Sequence, residues 1–383
     1  MSNWFAVLIF VAWGCLVSGS AAPGWGEEID DPLAAILEPE LKPAIQVLLD
    51  TYRTQRRYSD EDFPLGPERY GQFRTEIVSR LAATLRLEDW VVRDPQGKKS
   101  RLGFRDRVLA EIEHHGVRME IHAVEFAETG LVVPMVVCLP PGVQRCPAVC
   151  VFSGHSRNGL RDLVLDLESY QRGAAVRLAR AGFVAIAVEK IDTGYLSRDG
   201  RSGIDEAELA TTWLHWGRVT RSHQLMACLA ASEILAVHPR VDETRIGATG
   251  VSLGGWLSVQ TALLSDRIAA VADFGRKTMS VSPNVSAAEY PGQLDLCHIL
   301  PGMLSLCDRN LLSLAYCPRP MLAGHGRKDT GSHREGPVHY QQLYQSQYEK
   351  LGAADRFAYH IHDGGDTMPT EVVIEYFARV LRR

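Results

Sequence analysis

From Pro147 to Leu381 the sequence alternates short apolar runs with longer helical patterns, and this alternation limits the fold more than any other feature. Strands are expected at Pro147–Phe152, Phe183–Val188, Arg245–Thr249, Ile268–Asp273, Pro320–Ala323 and Phe357–Ile361. Between and after them the patterns predict helices over Tyr170–Ala181, Thr220–Val237, Leu253–Leu264, Val338–Leu351 and Pro369–Leu381. Strands that are apolar along their whole length and separated by helices are covered on both faces, so the sheet is mostly parallel. Ligands of such sheets bind beyond the carboxyl ends of the strands. Ahead of this region the period is two: Val108, Ala110 and Ile112 share a face, and so do Val117, Met119 and Ile121. With the apolar run Leu131–Cys138, closed by Pro140-Pro141-Gly142, these read as antiparallel opening strands. Earlier still, Pro67 opens a helical stretch in which Phe73, Ile77, Leu81 and Leu85 recur every fourth residue. The loop Arg276–Asn310, rich in Ser, Pro and Gly, is the one long segment without a pattern.

Composition removes several classes of function. With 41 Lys+Arg against 46 Asp+Glu the net charge is −5, which gives no footprint for a phosphate backbone, so nucleic acid is not an expected partner. No GxGxxG or GxxxxGK[ST] pattern supports a nucleotide cofactor, and no cofactor is expected. The eight cysteines contain no CxxC pair. Cys146 with Cys150, or Cys297 with Cys307, are possible disulfides in an oxidising compartment; the competing reading is that they are buried small hydrophobes. Trp4–Val17 is an apolar run shorter than the roughly 20 residues that span a bilayer, and small residues follow it up to Ala22. Residues 1–22 therefore read as a signal peptide and the chain as secreted or periplasmic, with a retained membrane anchor as the alternative. No other membrane association is expected. Residues 23–95 read as a helical extension and 96–383 as the main domain, with the oligomeric state left open. Asn284-Val285-Ser286 is a glycosylation sequon, relevant only in a eukaryotic secretory route.

The chemistry-bearing motif is Gly250-Val251-Ser252-Leu253-Gly254, which follows a strand and opens a helix. In G-x-S-x-G a serine sits on a strained strand-to-helix turn with its hydroxyl exposed, and the glycines let backbone pass close by. A nucleophilic serine needs a base, an orienting acid and donors for the developing oxyanion, with the partners in the order serine, acid, histidine. Asp329, in the loop after strand Pro320–Ala323, is the candidate acid. The N–H of Leu253 and the backbone of Gly154-His155 are the candidate oxyanion donors.

Beyond that motif, Gly154-His155-Ser156…Gly159, Tyr170-Gln171…Gly182-Phe183, Pro239-Arg240-Val241-Asp242…Arg245-Ile246-Gly247, Cys297-His298-Ile299-Leu300-Pro301-Gly302 and Pro318-Arg319-Pro320…Asp329 share a common pattern. Together they resemble secreted α/β-hydrolases of the acetyl xylan esterase-like and dienelactone hydrolase-like group. The resemblance spans roughly Arg107 to Arg383. It implies an α/β-hydrolase fold with a mostly parallel, eight-stranded sheet and helices on both faces, acting on acyl esters, commonly of acetylated carbohydrate.

One departure bears on activity. Relatives usually carry the base in a Gly-Gly-His loop after the last strand, whereas this loop reads His362-Asp363-Gly364-Gly365-Asp366. A carboxylate at Asp366 cannot both accept a proton from Ser252 and be oriented by Asp329, because adjacent anions repel. Either His362 serves as base or the triad is incomplete and the protein binds a glycan or ester without efficient turnover. A metal site from His360, His362, Asp363 and Asp366 is disfavoured because alternate strand residues face opposite ways, so no metal is expected there. A second departure is Glu189-Lys190-Ile191-Asp192-Thr193-Gly194-Tyr195, where relatives carry an Asp-led turn. Trp213, His215 and Trp216 offer stacking surfaces for a sugar, or simple packing.

Overall fold

A computed structural model describes residues 55–93, 100–142, 145–198, 206–275, 296–329 and 336–382. Two compact units are distinguished. Residues 1–56 with 281–295 form one, of which only Gln55 and Arg56 are described; residues 57–280 with 296–383 form the other and hold every element below. The leader, the sequon and the first part of the helical extension lie outside the described residues.

The second unit opens with helix α1 (Pro67–Thr84) and a small antiparallel sheet of β1 (Val91–Arg93) and β2 (Ser100–Leu102). Gly66 precedes Pro67, whose missing N–H costs nothing at a helix start. Phe73, Ile77, Leu81 and Leu85 are each fully buried. This stripe joins the same hydrophobic core as the main sheet, so this part of the extension packs as an integral layer of the unit.

The main sheet has nine strands, the number read along the sequence and one more than the resemblance implies. They are β3 (Phe104–His114), β4 (Val117–Phe126), β5 (Val132–Leu139), β6 (Cys146–Phe152), β7 (Val184–Val188), β8 (Val241–Val251), β9 (Ile268–Phe274), β10 (Met321–Gly326) and β11 (Phe357–His362). Their order is β11-β10-β9-β8-β6-β7-β5-β4-β3. β3, β4 and β5 run antiparallel up to β7, and the rest pair in parallel. The edge strand β3 is the first of the expected opening strands, and a bulge between Val108 and Ala110 breaks the alternation that the sequence suggests. Val108 and Ile112 remain 55% and 45% exposed.

Inside the sheet the two faces are filled in strict alternation. Val184, Ile186 and Val188 face the core shared with α1, α5 (Thr220–Val237), α6 (Leu253–Leu264) and α8 (Gly336–Lys350). Ala185 and Ala187 face the core beneath α2 (Arg161–Val164), α3 (Ala174–Arg180) and α9 (Thr370–Leu381). Cys146 and Cys150 sit on one face of β6, about 13 Å apart along the strand, far beyond disulfide reach. All seven described cysteines are buried and none forms a disulfide, so neither suggested pair forms.

Two local expectations change. The helix expected from Tyr170 starts at Ala174, because Arg172 and Gly173 take positive φ values of 58° and 55° and turn the chain first. Part of the expected irregular segment is ordered: Leu296–His298 forms a 3-10 turn and Arg309–Leu314 forms helix α7, capped by the Asp308 side chain. Residues 276–295 lie outside the described set.

Candidate active site

Ser252 joins β8 to α6 at the centre of the sheet, with φ 59° and ψ −123°. For a residue with a Cβ this is a strained conformation, costing on the order of 1–3 kcal/mol. Its neighbours impose it. Ser252 N–H donates to Phe274 O at 2.8 Å. A Cβ on Gly250 would lie 2.3 Å from the Gly254 carbonyl carbon, and one on Gly254 would lie 2.1 Å from Phe152 O. Only glycine fits at either position, so the start of α6 is clamped onto the end of β6. Leu253 is the first residue of α6, where a backbone N–H has no intrahelical acceptor.

The loop after β6 lies against this turn. A Cβ built on Gly154 would sit 3.2 Å from Ser252 Cβ and 2.5 Å from the Tyr170 hydroxyl, so both groups flank the same backbone position. Gly154 N–H is already committed, donating to Gln171 Oε1 at 3.1 Å. Of the candidate donors in this loop, His155 N–H is the one adjacent to that committed position. Burial, together with the Asp366 and Asp162 carboxylates, holds the Tyr170 phenol well above its ordinary pKa. Tyr170 and Gln171, part of the pattern shared with relatives, come just before the positive-φ turn at Arg172-Gly173.

On the opposite side, Asp329 is buried at the end of β10 and His362 ends β11, paired in register with Gly326. Arg327 N–H donates to His362 O at 2.7 Å and Lys328 N–H to Gly364 O at 2.9 Å, tying the acid loop to the base loop. His362 Nδ1 accepts the Gly364 N–H at 3.1 Å, which leaves a neutral ring's proton on Nε2. Burial and the neighbouring His360 lower the His362 pKa, opposed by the Asp329 and Asp363 carboxylates. Asp366 approaches Ser252 from across Gly275: a Cβ on Gly275 would be 2.8 Å from Ser252 Cα and 3.1 Å from Asp366 Oδ1. The two candidates for the base position thus lie in different places, His362 beside the acid loop and Asp366 beside the serine.

The Glu189–Tyr195 turn organises the crevice instead of lining it. Glu189 is fully buried and accepts N–H groups from Leu160, Lys190 and Tyr195 at 3.2, 3.0 and 3.0 Å. Burial raises its pKa to about 7 against those donors. Gly159 and Gly194 crowd its carboxylate so closely that no side chain fits at either. This is the residue that joins the loop after β6 to the loop after β7, and sequence reading registered it only as a departure. Trp213 packs its ring on His223 at 3.9 Å, which settles it as packing, whereas Trp216 is 75% exposed.

Residues 133–290 match the Dienelactone hydrolase family. The match covers less than half of the chain. That stretch includes Gly154, His155 and Ser252 and ends before Asp329 and His362. Among solved structures, a candidate acetyl xylan esterase from Bacteroides fragilis is similar over 90% of this chain and 96% of its own, with TM-score 0.73 and 13% identity. A methylesterase is similar over 88% and 68% (TM-score 0.59, 18% identity). A glucuronoyl esterase from Solibacter usitatus is similar over 79% and 91% (TM-score 0.56, 14% identity). At these identities the likeness establishes the fold. No curated protein matches the sequence. The partial family match and the structural likeness agree on an α/β-hydrolase fold.

Proposed function

We propose that this dienelactone hydrolase-like protein is an exported serine esterase acting on an acylated carbohydrate or a similar small ester. The carrying observation is the Ser252 turn: a non-glycine residue held at φ 59° between two glycines that admit no side chain, beside a helix N-terminus. The esterase functions named for the Bacteroides and Solibacter structures support the substrate class.

In this reading Ser252 Oγ attacks the ester carbonyl carbon while His362 Nε2 takes the hydroxyl proton. The oxyanion is held by the N–H groups of Leu253 and His155. Collapse expels the alcohol with the proton from His362, and water repeats the cycle on the acyl-enzyme. Asp329 orients the imidazole through Nδ1–H. This requires Gly364 N–H to release Nδ1, so that the ring proton moves there from Nε2. Hydrolysis of p-nitrophenyl acetate tests the reading: turnover that disappears in Ser252→Ala is expected, and equal turnover in the variant refutes it.

A second reading has its own support. Asp366 stands beside Ser252, and His362 Nδ1 is engaged by backbone. A protein so arranged binds an ester or glycan with little turnover. Under this reading wild-type turnover is near background and Asp366→His raises it sharply.

A further inference from the structure

We infer that His155 Nε2, Cys297 Sγ, a ring nitrogen of His298 and Glu206 Oε2 form a binding site for a divalent cation of the zinc type. The site would lie between the loop after β6 and the turn Leu296–His298. Ligand atoms of His155, Cys297 and His298 all lie within 4.8 Å of one another, and among the described residues no other group of three metal-type side chains converges in this way. His155 Nε2 is 3.0 Å from Cys297 Sγ and 3.6 Å from Glu206 Oε2. Glu206 Oε1 accepts the Cys297 N–H at 2.6 Å, which fixes the carboxylate's other oxygen toward the cluster. With zinc–sulfur and zinc–nitrogen bonds near 2.3 and 2.0–2.1 Å, tetrahedral donors stand about 3.5 Å apart, inside the range observed. A mixed thiolate, imidazole and carboxylate set suits zinc better than magnesium or calcium, which take oxygen donors.

These side chains come from three separate parts of the chain. His155 follows β6, Glu206 opens helix α4 (Glu206–His215) after β7, and Cys297 and His298 lie between β9 and β10. All are at the carboxyl end of the sheet. Cys297 is fully buried and His298 is 8% exposed.

The surrounding charges are consistent with a bound thiolate. Lys190 and Asp192 form a buried ion pair at 2.6 Å, and Gln224 Nε2 donates to the other Asp192 oxygen at 3.3 Å. Arg221, in the first turn of α5, is fully buried, and its Nε and Nη1 have no hydrogen-bond acceptor among the described residues. A buried cation is costly unless it is paired, and Glu206 and Asp192 already act electrostatically on Arg221. Burial holds the Cys297 thiol well above its ordinary pKa, opposed by Arg221 and Lys190 and reinforced by Glu206 and Asp192. Metal binding would convert the Cys297 thiol to a thiolate with release of one proton to solvent, giving Arg221 a nearby negative charge. The cation would also hold the His155 ring, and with it the loop that faces Ser252.

Titration of the metal-depleted full-length chain with zinc, and with cobalt as a spectroscopic probe, tests the site without reference to ester turnover. One equivalent per chain is expected, with a thiolate-to-cobalt band in the near ultraviolet. Cys297→Ser should abolish the band, and His298→Gln should weaken zinc binding by more than the roughly 10–100-fold that outer-shell changes cost. His362→Gln should leave binding unchanged. Should Cys297→Ser fail to fold, Glu206→Gln on the less buried α4 carries the test through the same spectrum and weakened zinc binding. Absence of stoichiometric binding, a cobalt spectrum lacking the thiolate band, or full affinity in folded Cys297→Ser or Glu206→Gln would overturn the assignment.

Discussion

The nucleophile side and the base side of the crevice are built by different means. Ser252 is set by a regular strand and a regular helix whose ends are forced together by glycines, so its geometry follows from backbone packing alone. The base side is a loop, residues 362–368, held by single backbone hydrogen bonds to the acid loop and to Tyr170 O. A turn fixed by steric exclusion tolerates almost no change in sequence. A loop fixed by individual hydrogen bonds can exchange one side chain for another, as Asp366 shows, without disturbing the fold.

The largest effect should come from the serine. Ser252→Ala should reduce kcat/KM by about 10^4-fold or more, leaving what the oxyanion donors alone provide. Retention of more than a small fraction of the activity would show that the turn is only structural. Next is the base side: Asp366→His restores an imidazole next to Ser252 and should raise the rate by roughly 10^2-fold, the lower end of general-base contributions. An unchanged rate in a folded variant would mean that His362 already does this work.

Glu189 gives a smaller effect, on stability. Its pKa is raised to about 7, so the folded state holds this proton between the ordinary carboxyl value and about pH 7 while the unfolded state does not. The contribution is fully present in acid and is lost as pH rises through about 7. Wild-type stability should therefore decline from pH 5 to 8 relative to Glu189→Gln by about 1–3 kcal/mol. Thermal melts across that range check it, and parallel curves for the two proteins would contradict it. The smallest effect concerns His362. Because its pKa is lowered, the acid limb of kcat/KM should fall below the ordinary histidine value of about 6.5, and a limb above it would point to a different base.

Legibility in the sequence follows the same division. Helices Thr220–Val237 and Leu253–Leu264 occur as expected because period and burial agree along them. The α1 stripe is buried at each of its four positions for the same reason. The start of α3 is not legible in the sequence because left-handed backbone at Arg172, a non-glycine residue, leaves no mark on apolar periodicity. Glu189 stands out in the sequence only as a departure from relatives, because the three N–H donors it accepts come together from residues 160, 190 and 195 in the fold. His155, Glu206 and Cys297 are likewise far apart in sequence, and only the shared carboxyl end of the sheet makes them neighbours.

The nucleophile assignment is tested most directly by reacting the folded protein with a fluorophosphonate and locating the adduct by intact-mass and peptide mass spectrometry. A single adduct on Ser252, absent from Ser252→Ala, is the predicted result. An unlabelled wild type, or equal labelling of the alanine variant, would contradict a nucleophilic Ser252.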